Sequence, residues 1–290
     1  MQARDLVAQA KIILEMIKVE HTVFALPFAF LGAMLAAGGW PAWPKIGWIV
    51  VAMVGARSFA MGWNRLADRR IDAANPRTAG RALPAGLATP AAVAVFVAAS
   101  ALLLVLAAWR LNPLALALSP LALAILFLYS YTKRFTWASH LVLGLSLAGA
   151  PLGAWIAIRG DATAVPLVLA LAVLLWVAGF DVLYALQDLD FDRRSGLFSA
   201  PVRFGVRGAL WLSGALHAAM LVLLALLPRL YPGLGRWYLL GWLGCLALLV
   251  YQHWVVRPGD LSRLNAAFFQ TNGLLSVWLF AATALDILLP

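Results

Sequence analysis

Charge is scarce in this sequence of 290 residues: 12% of the side chains are charged and 64% are hydrophobic. A soluble domain runs nearer a quarter charged and half apolar. The balance excludes an ordinary soluble enzyme and implies an all-α, polytopic membrane protein. Cysteine is nearly absent as well. The single one, Cys245, lies in an apolar run, which excludes a disulfide framework or a zinc site within one chain. No stretch alternates in the manner of barrel strands. No cleavable signal peptide is visible, because residues 1–19 mix Arg4, Asp5, Lys11, Glu15 and Lys18 with apolar residues. Leu6, Ile13 and Ile17 fit either a short amphipathic helix on the membrane surface or the extended start of the first span. Acids are scarcer than bases, 12 against 22, for a formal charge of +10. The bases flank apolar runs, so they suit anionic lipid headgroups, and no nucleic-acid partner is implied.

What is present is length and apolarity enough for nine spans of roughly 20 residues each. They fall near 21–40, 45–67, 90–109, 112–130, 138–158, 163–186, 207–228, 237–256 and 266–288, read as one transmembrane domain over 1–290. Glycine and proline punctuate the gaps, as in Gly38-Gly39-Trp40-Pro41 and Pro232-Gly233. The 13 tryptophans suit interfacial belts. Basic residues crowd alternate connections: Arg65, Arg69, Arg70, Arg77 and Arg81, then Lys133 and Arg134, then Arg193, Arg194, Arg203 and Arg207. The opposite connections hold fewer, among them Lys45, Arg110 and Arg159. That imbalance places the N-terminus in the cytoplasm and the C-terminus outside, in a bacterial-type inner membrane.

Acids are few, yet half of them gather in two windows. Asn64, Asp68 and Asp72 stand four apart, and Tyr184, Asp188 and Asp192 repeat that spacing 120 residues later. Four residues are about one helical turn, so each set shares a face. Like charges so placed repel, but they are tolerable around a cation, and hard oxygen ligands suit Mg²⁺. Arg69-Arg70 and Arg193-Arg194 follow in matching places. The reading is that the clusters face each other at the cytoplasmic ends of their spans and hold a metal-bound diphosphate. An internal repeat of roughly four spans would bring them to one cavity mouth. Asp181 lies seven residues before Asp188; Asp190 breaks the pattern and faces solvent in this reading.

Other residues complete the candidate pocket. Arg77 and Arg81, in the loop after Asp72, offer forked donors for phosphate oxygens. Tyr129-Ser130-Tyr131-Thr132-Lys133-Arg134 sets phenols, hydroxyls and two cations at one membrane edge, where Lys133 and Arg134 also fit a plain positive-inside anchor. Arg57 lies inside a span, where a cation is costly and needs a cavity or a partner. Its partner is either an aromatic substrate carboxylate or a protein acid such as Asp181. His21 and His140, near span ends, fit interfacial or packing roles.

The blocks Asn64-x3-Asp68-x3-Asp72, Asn75-Pro76-Arg77-Thr78-x2-Arg81, Tyr129 to Arg134, and Asp181-x2-Tyr184-x3-Asp188-x3-Asp192 together resemble the UbiA family of intramembrane aromatic prenyltransferases. The likeness is to its 4-hydroxybenzoate polyprenyltransferase branch, including the subgroup assigned to the futalosine route of menaquinone synthesis. The resemblance implies nine helices around a central cavity. It implies that Asn64, Asp68, Asp72, Asp188 and Asp192 hold Mg²⁺ bridging a polyprenyl diphosphate, and that Arg77, Arg81, Tyr131, Lys133 and Arg193 bind its oxygens. Asp181 and Tyr184 would line the reaction centre, and Arg57 would contact a phenolic aromatic acid, 4-hydroxybenzoate or a hydroxynaphthoate. Two rivals remain at this point. An ion-coupled secondary transporter also uses intramembrane carboxylates, but near the bilayer midplane. A membrane phospho-alcohol transferase also uses Asp-rich motifs with Mg²⁺, but in one continuous block.

Overall fold

The computed structural model describes residues 22–257 and 267–289, with the isolated positions Ile12, Met16 and Leu264. The proposed interfacial helix over 1–19 and His21 lie outside the described residues. The elements are α1 (Thr22–Ala37), α2 (Trp43–Ala74), α3 (Pro90–Leu111), α4 (Pro113–Thr132), α5 (Ser139–Arg159), α6 (Ala164–Tyr184), a 3₁₀ turn (Ala185–Asp188), α7 (Leu189–Arg194), α8 (Ala200–Leu230), α9 (Arg236–Val255), a π turn (Ala267–Thr271) and α10 (Asn272–Leu288). Among the described residues, eight helical segments are long and apolar enough to cross a membrane, and a shorter apolar helix covers Ala25–Ala37. This is the polytopic all-helical protein that the apolar runs imply.

The helix ends follow elementary capping chemistry. Pro90 opens α3, where a missing N–H costs nothing, and the Thr89 hydroxyl accepts from the Ala92 N–H at 3.2 Å. Ser199 caps α8 in the same way, accepting from Val202 N–H. α5 stops at Gly160, which adopts the left-handed conformation (φ 73°) that glycine takes without strain. One cap comes from afar. The Asp286 carboxylate on α10 accepts the N–H groups of Gly235, Trp237 and Tyr238 at 2.6–3.2 Å, and so closes the first turn of α9.

The described chain divides into two compact units, one holding residues 47–131 and the other residues 23–46 and 132–289. In the first, α2 and α3 approach closely at Gly55, where an added Cβ would sit 2.7 Å from the Leu104 backbone nitrogen. Small residues permit such approach in lipid, where packing rather than water drives association. α4 is the least buried of the described spans, and it presents Leu121, Phe127 and Leu128 outward.

In the second unit, α6 is the central helix and belongs to the most buried of the described spans. It packs on α5 and α8, while α9 packs on α10. Gly144 on α5 lies against the Leu174 carbonyl of α6, a place no larger side chain fits. Trp176 is fully buried there, against Phe28 and Phe180, and its indole donates to Asn272 Oδ1 at 3.0 Å.

Candidate active site

The first acidic motif rides on the end of α2. The apolar run stops near residue 67, but the helix continues to Ala74, so Asn64, Asp68 and Asp72 occupy successive turns of one continuous helix. Asn64 Nδ2 donates to Asp68 Oδ2 at 3.0 Å, an i,i+4 pair along that face. Asp72 is buried, with Arg81 Nη1 2.7 Å from Oδ1 and Arg65 Nη1 3.8 Å from Oδ2. Arg65 also donates to Asn64 Oδ1 at 3.4 Å. The repulsion expected along this ladder is therefore offset by arginines from the same helix and the next loop.

That loop is shaped by its own side chains. Asn75 Oδ1 accepts the Arg77 N–H at 3.0 Å, and the Thr78 hydroxyl donates to the Asp72 carbonyl at 2.9 Å. The turn brings Arg81 back onto Asp72 and leaves Arg77 exposed. Arg57 lies half-buried on α2, and Tyr131 is partly buried on α4. Tyr131 joins Trp63 and Phe127 in an aromatic wall, with ring centroids 4.7–6.5 Å apart. The Trp63 indole N–H is buried there without a hydrogen-bond partner.

The second motif is built differently. α6 ends at Tyr184, a 3₁₀ turn covers Ala185–Asp188, and α7 carries Leu189–Arg194. The four-residue spacing is thus interrupted rather than continuous. A 3₁₀ turn advances 120° per residue instead of 100°, which rotates Asp188 and Asp192 relative to Asp181. Both end up buried, Asp188 at 8% and Asp192 at 0% exposure. Lys133 Nζ lies 2.8 Å from Asp192 Oδ1. The Ser199 hydroxyl also donates to the Asp192 carboxylate. The Lys133 carbonyl accepts the Phe198 N–H at 2.8 Å, which ties the chain following α7 to the α4–α5 connection.

Tyr184 is partly buried against the cluster of Leu186, Ala200 and Val255. Asp190 and Arg193 are exposed on α7. Asp181 is engaged by His140, whose Nδ1 lies 2.6 Å from Oδ2.

The donor chemistry fits a hard divalent cation. Asp72 Oδ2 is a buried acceptor without a hydrogen bond, and Asp192 is fully buried beside Lys133 and Ser199. Among the described residues no three His, Cys, Asp or Glu side chains converge. Mg²⁺ is commonly held by one or two carboxylates plus waters and substrate phosphates, so it does not require a closed protein cage. Two residues escaped the sequence reading. Arg65 looked like a topological charge and sits buried in the first motif. His140 reads in sequence as an interfacial or packing residue and grips Asp181 of the second motif. Arg65 follows Asn64 directly, a signal available in the sequence; nothing local to His140 announces its partner.

A family model described as the UbiA prenyltransferase family matches residues 25–279. The chain belongs to the UbiA prenyltransferase family. It is 36% identical over 259 residues to the 4-hydroxybenzoate octaprenyltransferase of Aeromonas salmonicida, covering 88% of each chain. It is 32% identical over 242 residues to the enzyme of the same name from Vibrio campbellii, covering 82% of this chain and 84% of that one. Among solved structures, it matches the apo structure of a UbiA homolog from Aeropyrum pernix K1 with a TM-score of 0.84 at 35% identity, over 93% of this chain and 99% of that one. A UbiA homolog from Archaeoglobus fulgidus bound to DMAPP and Mg²⁺ shares the fold at 20% identity, with a TM-score of 0.75 over 95% of this chain and 98% of that one. Membership in a prenyltransferase family removes the transporter and the phospho-alcohol transferase from consideration.

Proposed function

We propose that this prenyltransferase moves a polyprenyl group from its diphosphate to a phenolic aromatic acid, with 4-hydroxybenzoate as the acceptor and Mg²⁺ as the ion. In this reading residues 1–290 act as one transmembrane domain, and each acidic motif is needed for diphosphate binding at the cytoplasmic face. The observation that carries it is a shared pattern. Each motif ends in a buried aspartate, Asp72 or Asp192, with a basic side chain 2.7–2.8 Å from its Oδ1. The acceptor rests on the relatives' names, 4-hydroxybenzoate octaprenyltransferase.

Asn64, Asp68, Asp72, Asp188 and Asp192 would hold Mg²⁺, which when bound draws charge from the diphosphate and makes it a better leaving group. Arg77, Arg81, Tyr131, Lys133 and Arg193 bind diphosphate oxygens and stabilise the charge that grows as the allylic C–O bond breaks. Lys133 and Arg81 already stand within ion-pair distance of the motif carboxylates, so a phosphate there meets cations held in place. The allylic carbocation is attacked by the electron-rich ring ortho to its hydroxyl. Tyr131 and Tyr184 offer π faces to that cation, and Arg57 pairs with the acceptor carboxylate. Apolar walls keep water from quenching it.

The test is incubation of the purified protein with a polyprenyl diphosphate, Mg²⁺ and a panel of phenolic acids, read by mass spectrometry. Prenylated 4-hydroxybenzoate supports the proposal. A product formed only from a hydroxynaphthoate moves the acceptor to the menaquinone side and leaves the chemistry intact. No prenylated product from any acceptor overturns it.

A further inference from the structure

His140 is buried, with 5% of its side chain exposed, and both ring nitrogens are engaged. Nε2 lies 3.2 Å from the backbone nitrogen of Ala200, at the start of α8. A backbone N–H can only donate, so Nε2 must present its lone pair. The ring proton then sits on Nδ1, 2.6 Å from Asp181 Oδ2. The tautomer is fixed by its neighbours. His140 satisfies one of the N–H groups that the start of α8 leaves over, and it aims the Asp181 carboxylate. The Asp181 side chain is still 22% exposed. One oxygen is committed to the imidazole, and the carboxylate keeps access to its surroundings.

From this geometry we infer that His140 is a positioning residue for the transfer reaction, fixing Asp181 as the base that removes the ring proton. The inference rests on the prenyl-transfer reading above. In the step, the allylic C–O bond breaks and its electron pair leaves with the diphosphate. A π pair of the acceptor ring forms the new C–C bond. The hydrogen on that ring carbon passes as a proton to an Asp181 oxygen, and the C–H pair restores aromaticity. His140 cannot take this proton itself, because Nδ1 already carries one and the Nε2 lone pair is spent on Ala200. Asp188 and Asp192 belong to the metal set and are less suited to the task.

The experiment compares H140A, H140Q, D181N and the H140A/D181N double variant of the full chain. General-base contributions run to about 100-fold or more. H140A should lower kcat about 30-fold with KM for both substrates within about threefold, since only the orientation of the base is lost. Gln carries both a donor and an acceptor, so H140Q should recover to within about fivefold of wild type. D181N should fall by about 100-fold or more, and adding H140A should lower it no further, because His140 acts through Asp181. A merely structural histidine would instead add its defect to that of D181N. If H140A does not fold, H140Q and ¹⁵N-histidine NMR of the full-length protein carry the test: the resonances lost in H140Q should be those of an Nδ1–H tautomer. An Nε2–H tautomer, an unchanged kcat in H140A, or additive losses in the double variant overturns the inference. If the wild type prenylates no acceptor while the Nδ1–H tautomer is found, the prenyl-transfer reading fails and His140 is left as a helix cap.

Discussion

The two acidic motifs look alike in sequence and are assembled by different means. The first is one unbroken helix whose charges are balanced from nearby: Arg65 and Arg81 both lie within nine residues of Asp72. The second bends through a 3₁₀ turn, and its partners come from other elements. Lys133 precedes Asp192 by 59 positions, and His140 precedes Asp181 by 41. The first motif is therefore a locally encoded structure, whose geometry survives as long as α2 and its loop form. The second depends on the α4–α5 connection, α5, α6 and α8 taking their places. A buried carboxylate flanked by two arginines tolerates loss of one better than a buried carboxylate beside a single lysine.

The largest effect should come from the buried aspartates themselves. Asp72→Asn and Asp192→Asn should each reduce prenyl transfer by about 1,000-fold while the protein stays monodisperse, because each removes both a ligand and the target of a fixed cation. If one motif keeps near-normal turnover without its aspartate, the two are not equivalent partners. A smaller effect should separate the motifs. Lys133→Ala leaves Asp192 buried with no counter-charge and should cost about 100-fold in kcat/KM together with a lower thermal midpoint, since a stranded buried charge is costly. Arg81→Ala leaves Arg65 near Asp72, so its cost should be nearer 10-fold, with the midpoint almost unchanged. Equal losses in both variants would erase the proposed contrast. The smallest effect on catalysis should come from the scaffold. Gly144→Ala forces a Cβ against the Leu174 carbonyl and should destabilise the second unit by about 1–3 kcal/mol. Thermal unfolding in detergent reads the loss, and turnover per folded molecule should hold.

The same contrast explains what could be read in advance. The spans were legible because each is a run of roughly 20 apolar residues, and runs of that length have few alternatives. The Asn64–Asp68–Asp72 ladder was legible because its spacing and its helix agree. Even here the helix outlasts the apolar run, since Arg65 and Arg81 offset the charges that would otherwise fray it. The second ladder was legible as a set of residues and not as a shape. Nothing in Tyr-Ala-Leu-Gln-Asp announces a 3₁₀ turn, because the turn is settled by tertiary packing and not by propensity. His140 reads as an interfacial or packing residue, because nothing in the 40 residues between it and Asp181 carries a periodicity linking them.

The central claim of the proposal is that each motif is needed for metal-dependent binding of the diphosphate. Calorimetric titration with a non-reactive prenyl thiolodiphosphate, with and without Mg²⁺, tests it most directly on the wild type, D72N, D192N and the double variant. The account predicts Mg²⁺-dependent binding by the wild type, a loss of about 100-fold in each single variant, and a double variant little worse than either. Wild-type affinity in either single variant, or binding that ignores Mg²⁺, would contradict it.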